Sequence, residues 1–263
     1  MIINKHPIGF FDSGVGGTSI WKEVISLLPN ENSIYLSDSK NAPYGEKSKT
    51  QIINLCIKNT EFLLKENCKL IVVACNTATT NAIDFLREKY SVPFIGIEPA
   101  IKPAALTTKT NTIGILATKG TLHSSLFEKT SSSFRKNIYI EEIVGKGLVE
   151  LIEDGKLHSK EMTILLKSYL TPLLKKNIDA LVLGCTHYPY LIPQIREIVG
   201  NKINIIDSGE AVARQTKAIL TKFQLLNATE NIAKHTLYIN KSKVVLKQLI
   251  LETEHTKIIQ KKF

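Results

Sequence analysis

The chain has 263 residues, 43% of them hydrophobic, with 34 Lys+Arg against 24 Asp+Glu for a net charge of +10. That length suits one large domain or two small ones, and the apolar share supplies a core, which excludes wholesale disorder. No apolar run approaches the roughly 18 residues of a spanning helix, the longest being Leu70–Cys75. Met1–Pro7 lacks the apolar stretch and cleavage site of a signal peptide, so a cytoplasmic protein with no membrane partner is expected. Four of the basic residues are arginines and the rest are lysines; residues 234–263 hold seven lysines against Glu252 and Glu254, half of the whole excess. Base and phosphate recognition favours arginine, whereas scattered lysine makes a solvated surface, so no nucleic-acid partner is expected.

In chain order, an apolar run at Ile8–Phe11 leads through the turn Asp12–Thr18 into a helical stretch over Ile20–Leu28. Strands are predicted at Ser33–Leu36, Leu70–Ala74 and Phe94–Ile97, with a helix over 49–66 between the first two. A second set follows at Thr112–Leu116, Asn137–Ile140, Ala180–Gly184 and Ile203–Ile206, with a helix over 160–176. The alternation predicts an α/β fold of mostly parallel strands covered by helices on both faces.

The second set echoes the first. Ile8–Ser13 resembles Ile113–Thr118 at an offset of 105, Ser33–Leu36 resembles Asn137–Ile140 at 104, and Leu70–Thr77 matches Ala180–His187 at 110. Apolar strands resemble one another by composition, but that does not account for a cysteine at the same place after both third strands. Two pseudosymmetric lobes are therefore predicted, 1–97 and 98–209, with 210–263 packing back on the first. In open parallel sheets ligands gather at the carboxyl ends of the strands, where Asp12-Ser13, Cys75-Asn76-Thr77, Thr118 and Cys185-Thr186-His187 all fall.

The glycines of Asp12-Ser13-Gly14-Val15-Gly16-Gly17-Thr18 suit either an anion site at a helix start or a tight strand-to-helix turn without a ligand. Cys56 and Cys68, on or beside helical stretches, read as packing; the four cysteines have neither disulfide density nor zinc-site spacing. Cys75 and Cys185 are each followed by two hydrogen-bonding residues, and His187 reads as a proton-managing neighbour of Cys185. Two symmetric acid/base groups suit removing a proton from one face of a carbon and returning one to the other, which is racemisation or epimerisation. One thiol must then be ionised while the other is protonated, and Asp12 near Cys75 opposes its ionisation. The loop Ser37–Gly45, with Pro43 and Gly45, suits either a lid or an ordinary surface loop.

Four blocks, Asp12–Gly17, Ala42–Gly45, Cys75–Thr79 and Gly184–Pro189, occur in the order and form of the signature blocks of glutamate racemases, and the similarity runs from about Ile8 to Gly209. The chain thus resembles that family. The resemblance implies two pseudosymmetric α/β lobes with the active site between them, no pyridoxal phosphate, no metal and no other cofactor. It also implies interconversion of L- and D-glutamate to supply peptidoglycan synthesis, in a family that often forms homodimers. Carried over residue by residue, Cys75 is the base toward D-glutamate and Cys185 the base toward L-glutamate, assisted by Asp12, His187 and Glu153. Asp12, Ser13, Pro43, Tyr44, Gly45, Asn76, Thr77, Thr118, Thr121, Thr186 and His187 would surround the substrate. No arginine lies in any block, so the carboxylates must be held by backbone N–H, hydroxyl and amide donors in a dry cleft. The alternatives are a racemase for aspartate or another acidic amino acid, and a catalytically silent binding protein.

Overall fold

The computed structural model describes residues 5–228 and 232–263; residues 1–4 of the expected first lobe and 229–231 of the closing stretch lie outside the described residues. The chain forms two parallel sheets flanked by helices. In the first, β1 (Ile8–Asp12) lies between β2 (Ser33–Ser37) and β3 (Leu70–Val73), with β4 (Phe94–Gly96) beyond β3. In the second, β5 (Thr112–Ala117) lies between β6 (Tyr139–Val144) and β7 (Ala180–Gly184), with β8 (Asn204–Ile206) beyond β7. The order 2-1-3-4 thus recurs as 6-5-7-8, and the sequence echo is an echo of topology. Strands β1, β2, β3 and β7 are buried at every position, as strands covered on both faces must be.

The first sheet is covered by α1 (Thr18–Leu27), α2 (Lys49–Lys65) and α3 (Asn76–Lys89), after which α4 (Ile101–Thr107) leads into the second. There follow α5 (Lys119–Leu122), α6 (Ser125–Ser132), α7 (Leu148–Glu153), α8 (Lys160–Leu174) and α9 (Ile192–Val199). Helix starts are specified locally. Ser48 and Gln51 form a reciprocal capping box for α2, and the side chains of Cys75, Thr118 and Ser159 cap α3, α5 and α8 by accepting backbone N–H groups.

Register sharpens the repeat. Ile8 pairs with Leu70 and Ile113 with Ala180, which makes Cys75 and Cys185 equivalent positions. Ile8 also pairs with Ser33 and Ile113 with Ile140, so the counterpart of Ser33 is Ile140 and not Asn137. The strand starts late because the N–H groups of Asn137 and Ile138 both donate to Phe134 O, at 3.0 and 3.2 Å, in the turn that follows α6.

The closing stretch contributes α10 (Gly209–Lys222), packed on α1, then β9 (His235–Ile239), α11 (Val244–Leu249) and β10 (Thr256–Gln260). β9 pairs in parallel with β2 and β10 with β9, extending the first sheet to the order 10-9-2-1-3-4. These two strands were not predicted. Their period-2 signal is one-sided, with Leu237 and Ile239 buried in β9 and Thr256 and Ile258 in β10.

One apolar cluster runs from Phe10, Val24 and Val72 of the first sheet region through Leu148, Leu166 and Leu191 of the second to Leu246 and Ile258 of the closing stretch. The two sheets therefore share a core as well as a boundary. The chain crosses between them after β4 and after β8, and the Ser208 hydroxyl ties the crossings by donating to Glu98 O at 2.5 Å. No described helix is long and apolar enough to cross a membrane.

Candidate active site

Strand ends of the two sheets converge on one cavity. From the first sheet come Ser13, Pro43, Tyr44, Gly45, Cys75, Asn76 and Thr77; from the second come Thr118, Cys185, Thr186 and His187, together with Val149. Asp12, Thr121 and Glu153 stand outside this lining but bond to residues within it. Cys75 holds extended backbone at the start of α3, its Sγ accepting the Ala78 N–H at 3.4 Å and lying 3.7 Å from Ser13 Oγ. Cys185 Sγ lies 3.7 Å from His187 Nδ1.

The glycine turn is where the second lobe comes close against the first. A Cβ on Gly14 would lie 1.9 Å from Glu153 Oε1, and one on Gly16 would lie 2.2 Å from His187 Nδ1. The glycines let two side chains of the second lobe press against the first. The turn does bind an anion, but the anion is the protein's own: Val15 N–H donates to Glu153 Oε1 at 2.6 Å. Ser39 donates to Glu153 Oε2 at 2.6 Å, and His187 Nε2 contacts Oε1 at 2.7 Å. Gly17 is needed at the turn's other wall, where a Cβ would lie 2.6 Å from Ala74 O; its N–H donates to Asp12 Oδ2 at 2.7 Å.

This packing sets two unlike environments for the two thiols. Burial pushes the Cys75 thiol well above its ordinary range, and the nearby Asp12 charge adds to this, against the Ala78 and Ser13 hydrogen bonds. Burial likewise raises Asp12, opposed by His187 and the Gly17 N–H. For His187 burial acts downward, but the Cys185 sulfur and the Glu153 carboxylate outweigh it and hold the imidazole well above its usual pKa. For Glu153 burial acts upward, and His187, Ser39 and Val15 outweigh it, so the carboxyl lies below its usual range. Cys75 is thus held toward its thiol form beside Asp12, while Cys185 faces His187 Nδ1, and His187 Nε2 sits between Glu153 Oε1 at 2.7 Å and the Gly16 N–H at 3.2 Å, in surroundings that favour the imidazole's protonated form.

The polar lining is poised for a ligand. Among the described residues both ends of the buried Asn76 amide lack a hydrogen-bond partner, an arrangement that costs about 1–3 kcal/mol unless something binds there. Thr77 Oγ1 meets Thr118 Oγ1 at 2.8 Å and Thr121 Oγ1 at 3.2 Å, so hydroxyls from the two lobes bond to one another across the cleft. The cavity is closed down to about 10 Å³, close to the room of a single water. The segment Ser37–Gly45 is tied down through Tyr44, whose OH donates to Asp38 Oδ2 at 2.5 Å and accepts from Asn59 Nδ2 at 3.2 Å.

Chemically, such a cavity offers one proton donor or acceptor from each lobe and neutral donors around them. The model of the Asp/Glu/hydantoin racemase family matches residues 18–216. The chain belongs to that family. Its membership makes it an amino-acid racemase, an isomerase. A glutamate racemase of Herpetosiphon aurantiacus is 45% identical over 225 residues, covering 86% of this chain and 89% of its own. The crystal structure of a Bacillus anthracis glutamate racemase superimposes with a TM-score of 0.84 at 32% identity, covering 97% of this chain and 98% of its own. The Francisella tularensis glutamate racemase in complex with D-glutamate gives 0.83 at 31% identity, with 97% of each chain covered.

Of the cavity and the side chains bonded around it, sequence reasoning missed Val149 and Ser39. Val149 carries no polar signal, and its place follows only from sitting on α7 with Glu153. Ser39 lay within the loop Ser37–Gly45, but its bond to a carboxylate 114 positions away has no local sequence trace. Cys56 and Cys68 are buried packing thiols; burial, with Asp38, pushes Cys56 up, and burial, with Glu66, brings Cys68 to about 12. Among the described residues no group of three or more His, Cys, Asp or Glu side chains is arranged to hold a metal ion.

Proposed function

We propose that this racemase interconverts L- and D-glutamate, without pyridoxal phosphate, by moving the α-proton between Cys75 and Cys185, and that its D-glutamate serves peptidoglycan synthesis in the cytoplasm. The reading rests on two buried thiols at equivalent strand ends, one from each lobe, on a single cavity. The D-glutamate complex of the Francisella relative supports glutamate as substrate.

In the L-to-D direction Cys185 takes the α-proton and Cys75 delivers its own to the opposite face. One S–H bond forms, one breaks, and the α-carbon is inverted. The resting electrostatics favour this starting form, since Cys75 is held as a thiol and His187 offers positive charge to Cys185. In the D-to-L direction the proton starts on Cys185, with Asp12 beside Cys75. Ser13, Asn76, Thr77, Thr118, Thr186 and the backbone of Tyr44–Gly45 hold the ammonium and carboxylates, backed by Pro43 and Thr121. In a closed cleft each neutral donor gains strength from the low dielectric, which lets the site work without arginine.

The free space in the cavity is about that of one water, so the lobes 1–97 with 210–263 and 98–209 part to admit glutamate. The Thr77–Thr118 contact then opens, and the substrate replaces it on closure. The test is incubation with L-glutamate in deuterated water, without pyridoxal phosphate, alongside aspartate and glutamine. D-Glutamate labelled at the α-carbon is expected, and Cys75→Ala and Cys185→Ala should each abolish it. Absence of both optical change and exchange, or near-normal turnover by either variant, would refute the assignment.

A further inference from the structure

The basic closing stretch reaches the site through one side chain. Asn240 follows β9 at the carboxyl edge of the first sheet and is anchored to β2 by its own N–H, which donates to Ser37 O at 3.3 Å. Both ends of its side-chain amide are engaged: Nδ2 donates to Asp38 Oδ1, and Oδ1 accepts the Lys40 N–H at 2.8 Å. Asp38 is 1% exposed. It also accepts from Asn41 Nδ2 at 2.8 Å and, through its other oxygen, from the Tyr44 hydroxyl at 2.5 Å. A continuous line of hydrogen bonds therefore runs from the tail through Asp38 to the Pro43–Gly45 wall of the cavity.

The chemistry at 240 is demanding. The position must donate to a carboxylate and accept from a backbone N–H within one residue's reach, which an amide does and a carboxylate, a hydrocarbon or an ammonium does not. Aspartate there would lose the donor and set a second negative charge against Asp38. We propose that Asn240 is a positioning residue of the racemase: it fixes Asp38, and through it Tyr44 and Gly45, in the geometry that receives substrate. The inference rests on the reading of this cavity as the racemase site. It makes the C-terminal stretch part of the functional apparatus as well as an extension of the sheet.

The test compares Asn240→Ala, Asn240→Asp and Asp38→Asn with Lys241→Ala. Lys241 is a neighbouring exposed residue whose ion pair with Asp154, at 3.8 Å, is worth little. For each full-length variant kcat and KM for glutamate are measured in both directions, with the melting temperature. Asn240→Ala and Asp38→Asn should each lower kcat/KM at least tenfold, mainly through KM, at temperatures where both are fully folded. Asn240→Asp should lose more, and Lys241→Ala should match the wild type. In the double variant with Tyr44→Phe, Asn240→Ala should add little to the loss from Tyr44→Phe alone, because both act on one chain of contacts. A purely structural tail contact would lower the melting temperature, leave KM unchanged and give multiplicative losses. Should Asn240→Ala not fold, an unchanged KM in folded Asp38→Asn overturns the proposal just as well. Normal racemisation by both variants sinks this inference alone, whereas a wild type that does not racemise glutamate sinks the reading beneath it.

Discussion

Replacing Glu153 by glutamine keeps the shape of a buried side chain and removes its charge. The amide oxygen can still accept the Val15 N–H, and the Ser39 hydroxyl can turn to accept from the new NH₂ group. What disappears is the counter-ion 2.7 Å from His187, while the burial that disfavours an imidazolium stays. A hydrogen bond to a charged group is worth about 1.5–3 kcal/mol, and losing this one lowers the His187 pKa, since burial then acts against fewer opposing contacts. The protonated form of a group with a raised pKa is present at low pH and lost as pH rises through that pKa. The alkaline limb of kcat/KM should therefore move to lower pH, with a loss of about 10–100-fold on that limb, the same energy read as a rate at about 1.36 kcal/mol per tenfold. Circular dichroism of each enantiomer against pH measures this. The two directions must agree in kcat/KM, because enantiomers have equal free energy in water. A profile that overlays the wild type in position, whatever its height, would refute the claim that Glu153 acts by keeping His187 charged.

The same pair makes a stability prediction. Glu153, with a lowered pKa, stabilises above its unfolded value of 4.5 and stops doing so as pH falls through its folded value. His187, with a raised pKa, stabilises below its unfolded value of 6.5 and stops doing so as pH rises through its folded value. The gap in melting temperature between wild type and Glu153→Gln should be widest between pH 4.5 and 6.5 and narrow on both sides. Gly14→Ala places a methyl 1.9 Å from Glu153 Oε1 and so expels the carboxylate; its pH profile should follow that of Glu153→Gln, with a lower melting temperature by calorimetry. Asn76→Leu removes an amide with two unpartnered ends, so the melting temperature should hold or rise by about 2–4 °C per kcal/mol recovered while KM rises tenfold or more. Cys56→Ser with Cys68→Ala should retain racemase kinetics, as these thiols lie outside the cavity lining.

Much of the architecture was written in local patterns. Buried parallel strands read as continuous apolar runs, so the strands that carry Asp12, Cys75 and Cys185 were legible, and the repeat of Cys75 by Cys185 marked two equivalent strand ends. What stayed hidden depends on residues far apart in the chain. Gly14 and Gly16 looked like a tight turn or an anion site because their partners, Glu153 and His187, lie on the other lobe. β9 and β10 are half-polar strands whose burial exists only once β2 lies beside them. Asn137 and Ile138 matched the strand pattern by composition, but backbone bonds to Phe134 held them in the preceding turn.

The late arrival of β9 carries a cost during synthesis. Ser33 of β2 and His235 of β9 meet across 202 residues. At the roughly 5–20 residues per second of a ribosome, the outer edge of β2 waits about 10–40 s for its neighbour. All five of its residues are buried in the finished protein, so for that interval the nascent chain displays an unpaired, apolar strand of the kind that recruits other strands. Its second lobe, continuous in sequence from β5 to β8, is complete well before the first. The ribosome thus hands over a molecule whose earlier half is the last to close, and a chain stalled before Ile239 would be left with that edge open.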